Sequence, residues 1–525
     1  MNSNKDERGM SLLDKGKKSI LSAVFSRLGL ILLLLVVQVV LMFCVFHWFE
    51  EFLPHIYSIN ILFSACMVLY LLNTQIDPTA KLTWLIVIML LPVFGSLLFL
   101  YTLRDIGHRA LKARSSQLVA ETKEDILQNP ETLTELQKEN PAVASLAHYI
   151  TRDGCYPVYR DTEVTYFPIG EAKFAEMLIQ LEKARKFIFL EYFIVNEGIM
   201  WGQVLEILAR KAKQGVEVRV MYDGTCELST LPHDYPQRMR KLGIQCKMFA
   251  PLEPFVSTHY NYRDHRKILV IDGETAFTGG VNLADEYINR RERFGHWKDT
   301  AVMVQGAAVP SFTLMFLQMW SMDIREPKYE PYISQDPHPR KGAAGYVIPY
   351  GDCPVDSDKV GEQVYMDILN RAQKYVHIMT PYLILDGEME NALKFCAERG
   401  VDVELILPGI PDKNIPFALA LTHYRSLLAS GVKIYEYTPG FVHAKSFVAD
   451  DREAVVGTIN LDYRSLYHHF ECACYMYGSS CIPDIERDFR ETREKCRVIT
   501  PETVRHEKFK RKATGVLMKA LAPLL

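Results

Sequence analysis

HRKILVIDGETAFTGGVNLADEY, residues 265–287, and HAKSFVADDREAVVGTINLDYRSL, residues 443–466, are two copies of one pattern. Each opens with H-x-K and reaches an Asp at the same offset: His265, Lys267 and Asp272, then His443, Lys445 and Asp450. Each continues into a small pair, Gly279-Gly280 or Gly457-Thr458, and an Asn at matching distance, Asn282 or Asn460. Side chains alternate along a strand, so H-x-K sets His and Lys on one face. The apolar residues that follow carry the strand into a core. The Asp ends it at a turn, where a carboxylate holds local structure rather than touching substrate. The small pair would let backbone approach an anion, and the Asn amide can donate to the same anion.

Upstream of each copy lies a second shared script. Residues 186–224 (KFIFLEYFIVNEGIMWGQVLEILARKAKQGVEVRVMYDG) and 374–409 (KYVHIMTPYLILDGEMENALKFCAERGVDVELILPG) each read as strand, loop, amphipathic helix, Gly turn and strand. That is a βαβ signature, with parallel strands and a helix packed across them. The Pro-, Gly- and charge-rich stretch 326–345 separates the copies as a linker. The expected fold is α/β: two repeats related by a pseudo-twofold, 146–325 and 346–500.

Two such halves facing each other bring two His, two Lys and two Asn around one pocket. Phosphodiester chemistry needs that set. One His attacks phosphorus and the other protonates the leaving oxygen. Lys and Asn hold the phosphoryl oxygens and stabilise developing charge. The side chains supply the charge, so this scheme requires no metal and no cofactor.

The chain has 525 residues, enough for two or three domains. Lys+Arg is 60 and Asp+Glu 63, a net charge of -3, which argues against a generally basic nucleic-acid binder. Eleven scattered cysteines, an odd count without zinc-ligand spacing, fit reduced thiols better than a disulfide scaffold. Cys472 and Cys474 form a lone CxC that reads as strand packing.

The N-terminal region differs from the rest. After a basic tail, 1–27, the stretch 28–104 holds three apolar runs, 28–49, 56–72 and 82–103. They are candidate transmembrane helices, the second of them short. Basic residues precede the first run and follow the third, which three full spans cannot both satisfy: either one segment is re-entrant or interfacial or one charge signal is overridden, with the catalytic part expected on the cytoplasmic face. Residues 105–145 read as a charged connector helix. The basic C-terminal segment 501–525 is amphipathic, suited either to an anionic leaflet or to packing on the catalytic domain.

The duplicated H-x-K-x(4)-D followed by G-[GST]-x-N resembles the phospholipase D superfamily over about residues 146–500. Within it the chain is most similar to the bacterial cardiolipin synthases. The run 81–101, the sequence Gly457 to Leu466 and the closing LAPLL carry that similarity. The resemblance implies a membrane-bound phosphatidyltransferase acting on phosphatidylglycerol and other anionic phospholipids, without nucleic acid. It implies His265 as nucleophile and His443 as general acid, then base. Water, phosphatidylethanolamine or serine as acceptor uses the same chemistry. A carboxylate downstream of each motif is expected to orient that motif's His: Glu471 in HHFEC for the second half, Asp299 in GHWKD for the first. His468 and His469 read as structural or surface residues, with lining the pocket the weaker alternative, and Trp201 and Trp320 read as core. His423 and Arg425 are weaker candidates for a headgroup contact, as His259 and Tyr260 are for the pocket entrance.

Overall fold

The computed structural model describes residue 40 and residues 53–74, 76–104, 106–154, 156–251, 262–333, 338–356, 358–520 and 522. The tail 1–27, nearly all of the run 28–49, His259 and Tyr260 lie outside the described residues.

Helix α1, Leu53–Asn73, covers the second apolar run. The third run does not form one span. It is divided into α2, Pro78–Leu90, and α3, Pro92–Arg104. Pro92 lacks an N–H and disfavours helical backbone at the residue before it, and Leu91 is extended (φ −132°, ψ 71°). Thirteen residues rise only about 20 Å, short of a hydrocarbon core of about 30 Å. Among the described residues no helix is long and apolar enough to cross a membrane. Met67, Leu71, Trp84, Ile88 and Phe99 form the small core that holds α1–α3 together.

The expected single connector is three helices: α4, Ile106–Thr122; α5, Pro130–Glu139; and α6, Pro141–Gly154. Pro130 and Pro141 each open a helix, where the missing N–H costs nothing. Asn129 and Asn140 precede them and accept backbone N–H bonds from the first turns.

The first half builds a seven-stranded sheet. Its strands are β1 (Thr162–Phe167), β2 (Phe187–Tyr192), β3 (Glu217–Asp223), β4 (Gln245–Phe249), β6 (Lys267–Ile271), β7 (Thr275–Gly279) and β9 (Ala301–Gly306), in the order β1-β9-β7-β6-β2-β3-β4. The short strands β5 (Arg263–Asp264) and β8 (His296–Lys298) leave this sheet to pair elsewhere. Strands β2 and β3 run parallel with α7, Ile199–Lys213, between them in the chain, as the first script requires. Trp201 is buried in this half. Helix α8, Val309–Trp320, is buried at every residue and packs between the halves.

The second half repeats the plan with β10 (Tyr346–Asp352), β11 (Tyr375–Met379), β13 (Asp402–Pro408), β14 (Lys433–Tyr437), β16 (Ser446–Ala449), β17 (Glu453–Gly457), β19 (His469–Tyr477) and β20 (Cys496–Ile499). Their order is β10-β19-β17-β16-β11-β13-β14-β20. Helix α9, Gly387–Glu398, lies between the parallel strands β11 and β13 in the chain. Short strands β12 (Leu383–Ile384) and β18 (Leu461–Asp462) pair with each other. Cys472 and Cys474 are buried in β19, and every described cysteine is free.

Two strand pairings stitch the halves together. Strand β5 of the first half pairs with β19 of the second, and β15 (Gly440–Val442) of the second pairs with β8 of the first. Each motif His follows one of these exchanged strands.

Asp272 and Asp450 occupy equivalent turns. The Asp272 carboxylate accepts from the backbone N–H groups of Arg185, Lys186 and Phe187 at 2.7, 2.7 and 2.8 Å. Asp450 does the same for Gln373, Lys374 and Tyr375 at 2.7, 2.8 and 3.0 Å. Each motif Asp therefore fixes the start of the strand beside its own. Asp272→Ala should cost about 2 kcal/mol of stability by leaving three amides without their acceptor. Asp272→Asn should cost less, because Asn keeps an acceptor oxygen and tolerates the positive φ of 55°. An unchanged denaturation midpoint for the alanine variant would contradict this role.

Candidate active site

His265 is delivered by β5. Its backbone N–H donates to the Phe470 carbonyl at 2.9 Å, so the second half holds the first half's His. His443 is delivered by β15 and its N–H donates to the Lys298 carbonyl at 2.7 Å, the reciprocal contact.

The side chains are exchanged as well. His265 Nδ1 lies 2.9 Å from both carboxylate oxygens of Glu471, and His443 Nδ1 lies 2.7 Å from Asp299 Oδ2. Pairing within each half, the natural expectation from chain order, is thus replaced by pairing across the halves. All four residues are buried. A carboxylate at Nδ1 fixes the tautomer that leaves Nε2 as the free nitrogen.

Lys267 and Lys445 are buried, and each Nζ donates to the backbone carbonyl of its own motif His. Lys445 Nζ also lies 2.9 Å from His443 Nδ1, beside the Asp299 contact. Between His265 and Lys267, Arg266 forms a buried pair with Glu191 at 2.7 Å.

The small residues act differently from the expected anion cradle. A Cβ on Gly280 would lie 2.0 Å from Asp299 Oδ1, so this glycine makes room for the carboxylate. Thr458 occupies the equivalent position in the second half, and its hydroxyl donates to Glu471. The Asn residues also differ. Asn282 is taken up by the framework: Oδ1 accepts from Ile194 N–H at 3.0 Å and Nδ2 donates to the Tyr287 hydroxyl at 2.8 Å. Asn460 is buried and its Oδ1 has no hydrogen-bond partner among the described residues.

Burial pushes His265 well below the usual histidine range, against the pull of Glu471. Burial and then Lys445 push His443 down to about 4. Burial lowers Lys267 to about 8 and Lys445 to about 7. Burial opposes charge on Glu471 too, yet pairing with His265 and His469 holds its carboxyl below the usual carboxylate range. The resting site therefore pairs neutral His265 with ionised Glu471.

His469 belongs to this cluster. Its ring centroid is 5.2 Å from that of His265, and Nδ1 is 3.5 Å from Glu471 Oε1. The signal was present in HHFEC: His469 and Glu471 are two apart on a strand and so share a face. Phe193 packs edge-on to His265 at 4.9 Å, while Tyr287 and Trp297 lie 5.3 and 5.5 Å from His443. These rings exclude water around the imidazoles. Their positions carry no motif of their own.

His423 and Arg425 fall outside the site. Both lie on α10, Asn414–Ala429, where buried His423 meets the Glu390 carboxylate of α9 at 2.7 Å. Among the described residues two groups of side chains could reach a common metal ion, His265 with His469 and Glu471, and His377 with Asp402 and Glu404. In the second group Arg493 (2.8 Å) and Lys433 (3.3 Å) already neutralise Glu404. The first sits beside Lys267, in surroundings suited to an anion.

The family described as "Cardiolipin synthase, PLD-like domain" matches residues 177–319 and 365–493, the two repeats. The family described as "Phospholipase_D-nuclease N-terminal" matches residues 61–101. An uncharacterised protein of Streptococcus mutans is 58% identical over 87% of this chain and 99% of its own length. A cardiolipin synthase of Alkalihalophilus pseudofirmus is 32% identical over 91% of this chain and 95% of its own. Another, from Geobacillus kaustophilus, is 33% identical over 89% and 93%. Among solved structures, phosphatidylserine synthase of Haemophilus influenzae aligns with 73% of this chain and 100% of its own at a TM-score of 0.55 and 15% identity, a likeness of fold.

Proposed function

The chain belongs to the phospholipase D-like cardiolipin synthase family, and from that premise we propose that it is a phosphatidyltransferase joining two phosphatidylglycerol molecules into cardiolipin and glycerol. The observation that carries this reading is the crossed pair His265–Glu471 and His443–Asp299 in one buried site. Nε2 of His265 attacks phosphorus. A P–N bond forms as the P–O bond to glycerol breaks, and His443 gives the departing oxygen its proton. The hydroxyl of a second phosphatidylglycerol then loses its proton to His443 and attacks phosphorus. The P–N bond breaks and His265 is restored. Lys267, Lys445 and Asn460 hold the phosphoryl oxygens. Asp299 stabilises the imidazolium that His443 becomes once the anionic phosphate enters.

In this reading α1–α3 sit in the bilayer and the catalytic halves lie against its cytoplasmic face. Exposed apolar side chains on the hairpin, among them Leu62, Leu69, Leu82, Met89 and Leu90, support that placement.

The test is a product assay on purified protein in phosphatidylglycerol vesicles without added metal. Cardiolipin with equimolar glycerol is expected. Phosphatidic acid without cardiolipin would make water the acceptor and the chain a phospholipase D.

The proposed mechanism also predicts a pH profile. His265 must be neutral to attack, so the acid limb of kcat/KM should lie well below pH 6.5, the usual histidine value. Lys267 and Lys445 must be charged to hold phosphate and His443 must carry a proton to release glycerol, so activity should fall on the alkaline side at or below pH 7 to 8 rather than near 10.5. Activity rising steadily to pH 10 would contradict the role of the lysines.

A further inference from the structure

We propose that the C-terminal helix α11, Phe509–Lys519, is a second membrane contact, an interfacial helix seated on an anionic lipid leaflet. The inference rests on the reading that the substrates lie in a bilayer. One face of α11 is committed to the protein. Gly515 is buried against α10, where a Cβ would lie 2.2 Å from the Ala418 carbonyl oxygen. Met518 packs on the cluster of Leu419, Tyr463 and Ala522. Arg511 stacks over Phe417 at 5.1 Å and pairs with Glu507 at 2.7 Å.

The opposite face is apolar too. Phe509 is 85% exposed, and Val516 and Leu517 are each 69% exposed. With exposed Ala513 they stand at i, i+4, i+7 and i+8, one continuous stripe. On a solvated helix that stripe would be polar. Lysines flank it instead: Lys510 on one side, Lys508, Lys512 and Lys519 on the other, with no carboxylate between Lys508 and Ala520. An outward apolar stripe bordered only by cations matches an anionic interface, where apolar side chains enter the acyl boundary and ammonium groups meet headgroups.

The helix is also tied to the hairpin. The Thr83 hydroxyl of α2 donates to the Ala520 carbonyl at 2.9 Å. Exposed Leu82, Ile86, Met89 and Leu90 of α2 repeat the i, i+4, i+7, i+8 spacing. Hairpin and α11 thus hold the catalytic unit to the bilayer at two joined points.

The test uses the full chain carrying Phe509→Trp, read against the parent to subtract its five tryptophans. Vesicles contain phosphatidylglycerol or phosphatidylcholine with brominated acyl chains. On phosphatidylglycerol the added emission should shift to the blue and be quenched. Changing Lys508, Lys510 and Lys519 to Gln should lower the ratio of quenched to unquenched emission about fivefold per lysine. Water-like, unquenched emission from vesicle-bound protein would overturn the proposal. So would shielding that grows with protein concentration without lipid, which would assign the stripe to a second copy of the chain. Quenching at position 509 is read without turnover, so its failure is distinct from failure of the product assay.

Discussion

His265→Ala should abolish cardiolipin formation, a loss of about 10⁴-fold or more, while leaving the fold intact. The imidazole sits at the end of a two-residue strand whose backbone bonds remain after truncation. The decisive measurement is trapping with phosphate-labelled phosphatidylglycerol: the parent should carry label on the protein after rapid denaturation, and His265→Ala should carry none. His443→Ala should also lose turnover, because the leaving oxygen has no proton donor, yet His265 remains to be labelled slowly. Label on the His265→Ala protein, or near-normal turnover in either variant, would sink the paired-histidine mechanism.

The second large effect belongs to the carboxylates. Glu471→Gln and Asp299→Asn should each lower kcat by about 10³- to 10⁴-fold, as when the acid partner of a catalytic histidine is neutralised in place. The exchange between halves makes the two variants distinguishable. In the proposed mechanism Glu471 orients the nucleophile His265, so Glu471→Gln should slow formation of the labelled intermediate. In the same mechanism Asp299 supports the proton carrier His443, so Asp299→Asn should slow its consumption by acceptor more than Glu471→Gln does. The reverse assignment would mean that the carboxylates serve the histidines of their own halves.

Much of this was legible in the sequence. The βαβ scripts at 186–224 and 374–409 became β2–α7–β3 and β11–α9–β13 because alternating apolar strands and an amphipathic helix leave few other ways to bury their faces. The turn role of Asp272 and Asp450 follows from an Asp beside a strand end. The pairing of Glu471 with His265 was hidden, because a spacing along the chain says nothing about which half a strand joins. The break at Pro92 was written in the sequence, but an apolar run on both sides masks it when hydropathy is averaged. The glycine at 280 looked like a ligand cradle because chain order does not reveal that Asp299 fills that space.

The exchanged strands have a consequence for the chain as it is made. When the first half emerges from the ribosome, His265 has neither β19 to seat its backbone nor Glu471 to set its tautomer. His443 in turn requires Lys298 and Asp299 from the part already made. The N-terminal helices α1–α3 are synthesised first, well before either histidine has its partners. The incomplete chain therefore lacks both histidine–carboxylate pairs, and the site forms only when the last strands of the second half close onto the first.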